Sequence, residues 1–237
     1  MVNALPDLSS KNRGLSASTL KILAGIFMVI DHVGAILLPD ILILRVIGRL
    51  SYPIFAYFIA EGCRYTRNRL KYLLTILAVA AVCQVVAYIT TGTLYMCILV
   101  TFSLSICLIY LVDNFLRKPT VWTVLAGLAG FFAARFICQT LPDLLPGTDF
   151  AVDYGYAGVL IPVCTYLGTT KWQKMGWTAV GLLCLCLSSG GIQWYSLASL
   201  LLLALYNEKR GKYSMKYLFY VYYPAHTAIL YLIARFI

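Results

Sequence analysis

The stretch I-L-A-G-I-F-M-V-I-D-H-V-G-A-I-L-L, Ile22 to Leu38, decides the fold of this chain. Every residue in it except Asp31 and His32 is apolar or glycine, and the run approaches the ~20 residues that a helix needs to cross a bilayer. An ionisable side chain at that depth costs roughly 2.5–3.5 kcal/mol by insertion scales. Two side by side must be paired with something or used for something. Lys11 and Arg13 precede the run as they would precede a signal peptide. The run is too long for such a segment, however, contains two ionisable groups and lacks an A-x-A-like exit, so it reads as a retained span.

The rest of the chain has the same character. Of its 237 residues 61% are hydrophobic and 12% charged, where a soluble domain is nearer half apolar and a quarter charged. The excess falls in runs of about 17–22 residues, which predicts an all-α polytopic integral membrane protein of about nine transmembrane helices. The expected spans lie near 18–38, 45–63, 71–90, 95–112, 121–138, 154–169, 175–189, 192–206 and 215–236. No connection exceeds about 15 residues, so residues 1–237 read as a single bundle. With the N-terminus inside, every Lys and Arg except Arg45, Arg49, Arg135 and Arg235 falls in or beside a cytoplasmic segment, while Asp40, Asp143, Asp149 and Asp153 fall outside. This asymmetry predicts a multi-pass protein of the cytoplasmic membrane, N-terminus inside and C-terminus outside. It also accounts for the net charge of +10 without nucleic acid. The eight cysteines are scattered, with neither metal-ligand spacing nor a disulfide framework.

Few ionisable groups lie at depth: Asp31, His32, Arg49, Glu61, Arg135 and His226. Asp31 and His32 point about 100° apart on a helix, so each needs a partner from another span. A hairpin with its tip near Pro39–Ile41 sets them level with Arg49, Ser51 and Tyr52. Arg49 is then the expected counter-charge for Asp31, and Ser51 or Tyr52 a hydrogen-bond partner for His32. Pro53 is expected to free a carbonyl around Arg49. Measured from the outer ends of their spans, His32 and His226 differ in depth by about one turn, ~4–5 Å, so both histidines can share one layer. Glu61 sits beside Arg64 and Arg67, either ion-paired with them or used chemically.

The segments L-K-I-L-A-G-I-F-M-V-I-D-H-V-G (Leu20–Gly34) and R-V-I-G-R-L-S-Y-P-I-F-A-Y-F-I-A-E-G (Arg45–Gly62) resemble the TraX family. So do T-R-N-R-L-K-Y-L, D-Y-G-Y-A-G-V-L (Asp153–Leu160) and the closing Y-Y-P-A-H (Tyr222–His226). Members of that family include the conjugal-transfer protein that acetylates pilin. The resemblance implies a membrane acetyltransferase drawing on acetyl-coenzyme A, akin to the wider transmembrane acyltransferases in which a membrane histidine assists transfer. It implies His32 as the catalytic histidine, oriented or charged by Asp31 and Arg49, with Tyr222, Pro224 and His226 on the closing motif.

The residues support the same chemistry on their own terms. Acyl transfer needs a base for the acceptor's proton and a positive or donor group at the carbonyl oxygen. His32 can be that base, and Arg49 or the Ser51 hydroxyl can serve the oxygen. Coenzyme A is cytosolic and polyanionic, so its phosphates are expected on an inner basic rim. That rim would be Arg64, Arg67, Arg69 and Lys71, facing Lys209, Arg210, Lys212 and Lys216. Glu61 and Tyr222 are the further expected contacts of the coenzyme, with Tyr217, Tyr220 and Tyr223 beside its arm. The acceptor is an amine or hydroxyl, the pilin N-terminus in the best-known relatives. The rival reading is a small proton-coupled transporter using Asp31, His32 and Glu61 as a relay, although the chain lacks the internal repeat common in such folds.

Overall fold

The computed structural model describes residues 14–211 and 216–236, without the side chains of 216–220. Lys11, Arg13 and Lys212 therefore lie outside the described residues, as do the side chains of Lys216, Tyr217 and Tyr220. The molecule is all-α, 79% helical. Its elements are α1 (Ala17–Ile36), α2 (Leu42–Gly48), α3 (Ser51–Tyr65), α4 (Arg69–Thr91), α5 (Ile98–Arg117) and α6 (Val121–Arg135). A π-helical turn (Phe136–Thr140) and α7 (Leu141–Leu144) extend α6; α8 (Gly155–Leu167), α9 (Lys171–Ser189), a 3-10 segment (Gly191–Ala198), α10 (Ser199–Ala204) and α11 (Lys216–Ala234) follow. Among the described residues, five stretches are long and apolar enough to cross a membrane: Ala17–Ile36, Leu42–Tyr65, Arg69–Thr91, Ile98–Arg117 and Val121–Leu144.

Local chemistry sets the helix ends. Ser16 caps α1 by accepting from the Thr19 amide, and Asn68 caps α4 by accepting from that of Lys71. Thr120 with Thr123, and Thr170 with Gln173, form reciprocal capping boxes at α6 and α9. The second expected span is not one straight helix. It breaks at Arg49–Leu50 between α2 and α3, because the ring of Pro53 clashes with the carbonyl four residues back. Pro53 itself sits in the first turn of α3, where a missing N–H removes no helical bond.

α3 is the axis of the bundle, and most of its residues are buried. One core packs its Tyr52, Ala56 and Ile59 with Ile106 and Ile109 of α5, Val159 and Ile161 of α8, and Leu182 and Leu185 of α9. A second packs its Ile54, Tyr57 and Phe58 against Leu20 and Ala24 of α1 and Leu203 and Tyr206 at the end of α10. Gly181 lets α9 approach closely, since a Cβ there would stand 3.1 Å from Ile161. The outward faces of α4 and α6 carry Leu74, Val85, Ile89, Leu128 and Phe132 in the open, as lipid-facing helices do.

Two further ties matter for the site. The segment after α10 folds back on the start of α1, where the amides of Ala17 and Ser18 donate to the carbonyls of Lys209 (2.9 Å) and Arg210 (3.2 Å). These bonds satisfy donors that a helix start leaves open. On the opposite end, two-residue strands β1 (Tyr95–Met96) and β2 (Ala151–Val152) pair in parallel.

A buried ionic hub joins α4, α5 and α8. Asp113 accepts from Arg69, from Arg117 Nε (2.7 Å) and from the Tyr166 hydroxyl (2.7 Å). Replacing Asp113 by Ala leaves Arg69 and the Tyr166 hydroxyl without this acceptor, while the exposed Arg117 turns to solvent, and the expected loss is about 1–3 kcal/mol, read as a lower midpoint of thermal unfolding in detergent or bilayers.

Candidate active site

The Asp31 carboxylate lies against α2. Arg45 Nη1 donates to its Oδ2 at 2.6 Å and to its backbone carbonyl at 3.1 Å. Arg49 Nη2 reaches Oδ1 at 2.8 Å and Oδ2 at 2.9 Å. The hairpin count pointed to Arg49 alone. Arg45 was legible in the R-V-I-G-R spacing, since residues four apart share a helix face. Gly48, between them, leaves room for the carboxylate: any Cβ there would overlap Asp31.

His32 turns away from this cluster, toward α11. Its Nδ1 lies 3.0 Å from Nε2 of His226, with ring centroids 4.9 Å apart. His226 Nδ1 lies 2.9 Å from the Tyr222 carbonyl. The Tyr222 ring stacks on His226 and its hydroxyl donates to the Gly25 carbonyl at 2.9 Å, pinning α11 to α1. Neither Ser51 nor Tyr52 is the partner of His32. Ser51 donates to the Ala24 carbonyl (2.8 Å) and Tyr52 to the Gly158 carbonyl (2.6 Å). The break at Arg49–Leu50 re-aims both residues, and the engaged Ser51 proton is not on offer to an oxyanion.

A cavity of about 690 Å³ runs along α1, a volume typical of small-molecule sites. Lys21, Glu61, Tyr65, Glu208 and Arg210 lie toward one end; Asp31, His32, Tyr52, Asp153 and Tyr154 lie toward the other. Lys21 and His32 are eleven residues apart, three turns of helix within about 20° and about 16 Å along the axis. Both therefore face the same cavity. Arg45 and Arg49 stand behind Asp31 and do not border it.

The basic cluster around 64–71 is arranged otherwise than the sequence suggests. Arg64 donates to the carbonyls of Tyr166 (2.5 Å) and Gly168 (2.6 Å) and so caps the end of α8. Arg69 is engaged by Asp113. Glu61 pairs with Lys174 at 2.8 Å rather than with the 64–67 run. Arg67 and Lys71 are exposed, and neither borders the cavity. Carboxylates and bare carbonyls on neighbouring helices capture these cations because an unpaired charge or acceptor there is costly. Among the described residues, the cations at the cavity are Lys21, whose Nζ lies 4.8 Å from the Phe58 ring centroid, and Arg210.

Sequence reasoning also passed over Asp153 as a wall residue. It lies in the loop ahead of α8, accepts from the Tyr95 hydroxyl at 2.9 Å, and is held by Thr101 through its carbonyl. Burial pushes its carboxyl up to about 6. Tyr154, next in sequence, adopts a left-handed φ of 58° and stacks on Tyr52.

The profile described as "TraX protein" matches residues 16–234. The chain belongs to the TraX family. That span takes in every residue of the candidate site described above. The chain is also 27% identical over 256 aligned residues to a protein of Dichelobacter nodosus named "Probable fimbrial assembly protein FimC, serogroup H1", covering 93% of this chain and 96% of that one. A Rickettsia prowazekii (strain Madrid E) protein named "Uncharacterized protein RP591" is 31% identical over 107 residues, 44% of this chain and 41% of its own length. No solved structure matches.

The Asp31 cluster yields a test by double-mutant cycles. Arg49 is less exposed than Arg45, 12% against 29% for their side chains, so its pair is screened less. The Asp31–Arg49 coupling, from D31N and R49Q, is expected at about 1–3 kcal/mol. It should exceed the coupling from D31N and R45Q in thermal or denaturant unfolding.

Proposed function

We propose that this TraX-family chain is a membrane-embedded acetyltransferase that moves an acetyl group from cytosolic acetyl-coenzyme A to an amine or hydroxyl acceptor. The observation that carries the reading is His32, a base on the wall of a cavity whose far end holds Lys21 and Arg210. On this reading the chain crosses the cytoplasmic membrane about nine times, N-terminus inside, and the Lys21–Arg210 end opens to the cytosol. The name of the Dichelobacter relative adds a fimbrial context, and a pilin-type subunit is the acceptor that best suits it.

The residues suit the donor. Its phosphates meet Lys21 and Arg210; Lys174 offsets Glu61, so the mouth stays net cationic although Glu208 shares it. Its weakly polar arm runs past Phe55, Phe58 and Ile59. When bound, acetyl-coenzyme A supplies a thioester carbonyl activated for attack. His32 takes the proton of the attacking amine or hydroxyl as the new C–N or C–O bond forms, and hands it to the sulfur as the C–S bond breaks. Tyr154 and Tyr223 line the same cavity, and a tyrosine hydroxyl can donate to the carbonyl oxygen. Asp31, its carboxylate covered by Arg45 and Arg49 behind it, is a fixed floor whose three charges sum to +1. The transporter alternative is weakened by the same contacts, since Asp31 and Glu61 are both ion-paired and poorly placed to relay protons.

A His32→Ala chain that folds normally should transfer acetyl groups on the order of 10²–10⁴-fold more slowly; full activity would remove His32 as the base. Lys21→Gln and Arg210→Gln should each weaken acetyl-coenzyme A binding, most at low salt, while Arg67→Gln and Lys71→Gln should not. An unchanged dissociation constant in the first pair, measured by calorimetry, would overturn the assignment of the mouth.

A further inference from the structure

With both rings neutral, the hydrogen bonds around the two histidines leave one consistent placement of protons, and it separates their roles. A backbone carbonyl only accepts, so the 2.9 Å contact of His226 Nδ1 with the Tyr222 carbonyl requires a hydrogen on Nδ1. Neutral imidazole carries one ring hydrogen. His226 Nε2 therefore presents a lone pair. That lone pair lies 3.0 Å from His32 Nδ1, so the hydrogen between the rings belongs to His32. His32, itself neutral, is left with its lone pair on Nε2.

Two features support the neutral form of His226. The residue is buried at 7% exposure, and the partners of its ring nitrogens are a carbonyl and an imidazole, neither of them a carboxylate; a buried charge without a counter-charge is the expensive form. The Thr227 hydroxyl stands 3.5 Å from His226 Nε2, but it donates to the Tyr223 carbonyl at 3.2 Å and does not compete for the lone pair. His32 borders the cavity and His226 does not.

We propose that His226 is a positioning residue rather than a second base. With the Tyr222 carbonyl behind it, it holds His32 as the Nδ1–H tautomer and leaves Nε2 as the basic atom open to the cavity. The partner of one ring nitrogen sets what the other can do. When His32 Nε2 takes a proton, the resulting imidazolium keeps its Nδ1–H on His226, so the ring does not turn during the reaction. The inference rests on the acetyl-transfer reading for its purpose, but the tautomer can be tested without it.

The chain holds only two histidines, so ¹⁵N-histidine labelling in lipid bilayers gives two ring systems that single variants assign. The expected spectrum at neutral pH shows Nδ1–H on both rings, with coupling between His32 Nδ1 and His226 Nε2. A His32 ring carrying its hydrogen on Nε2 would overturn the proposal. In His226→Leu, His32 should lose the Nδ1–H signature; in His226→Gln the amide oxygen should restore it as an acceptor. For acetyl transfer, kcat in His226→Leu should fall on the order of 10²–10⁴-fold, with acetyl-coenzyme A binding unchanged and the loss at least about tenfold smaller in His226→Gln. Equal losses in the two variants would overturn the positioning role. Nδ1–H on His32 in a chain without any acetyl transfer would overturn the enzymatic reading while upholding the tautomer.

Discussion

A carboxylate in the middle of an apolar helix has to be neutralised where it stands, and much of this fold follows from how that is done for Asp31. The charge cannot leave the helix for water, so cations come to it, and α2 supplies them from one face. Holding α2 that close forbids a side chain at Gly48. The tight α1–α2 hairpin leads straight into the break before α3, and α3 is shared by both cores. Asp31 thus fixes the entry to the central helix, which explains why the residue beside it can be held in an exact relation to α11.

What could be read from the amino-acid sequence was what depends on hydropathy and depth. The helical segments fall close to the expected spans, because long apolar runs bounded by caps leave little freedom. The pairing of Asp31 with Arg49, and the shared layer of His32 and His226, follow from counting residues along hairpins. Rotation about a helix axis was not available from counting. Ser51 is at the depth expected for a partner of His32, yet its hydroxyl bonds Ala24. Nor did spacing show which of the many cations at the basic end would be captured. Arg64, Arg69 and Lys174 are drawn into the scaffold by carbonyls, Asp113 and Glu61, and Lys21 was assigned to topology alone.

The two ends of the bundle solve different problems. At the basic end, ion pairs and carbonyl bonds lock α3, α4, α5, α8 and α9 to one another, so that end is stiff away from the cavity. At the other end, the β1–β2 pairing sets Asp153 and Tyr154 over the cavity beyond His32. The polar groups that border the cavity are mostly held from outside it: Asp31 by α2, His32 by α11, Asp153 by Tyr95.

Lys21 and His32 stand on one face of one helix, three turns apart. Because a helix is nearly inextensible, no rocking, tilting or sliding of α1 can alter the interval between them. The bundle can breathe around α1 while α1 itself acts as a measuring rod, with a charge at one graduation and an imidazole at another. Any molecule that spans both marks is gauged for length as well as for chemistry. One whose reactive centre lies too near its anionic end, or too far from it, is held without being placed.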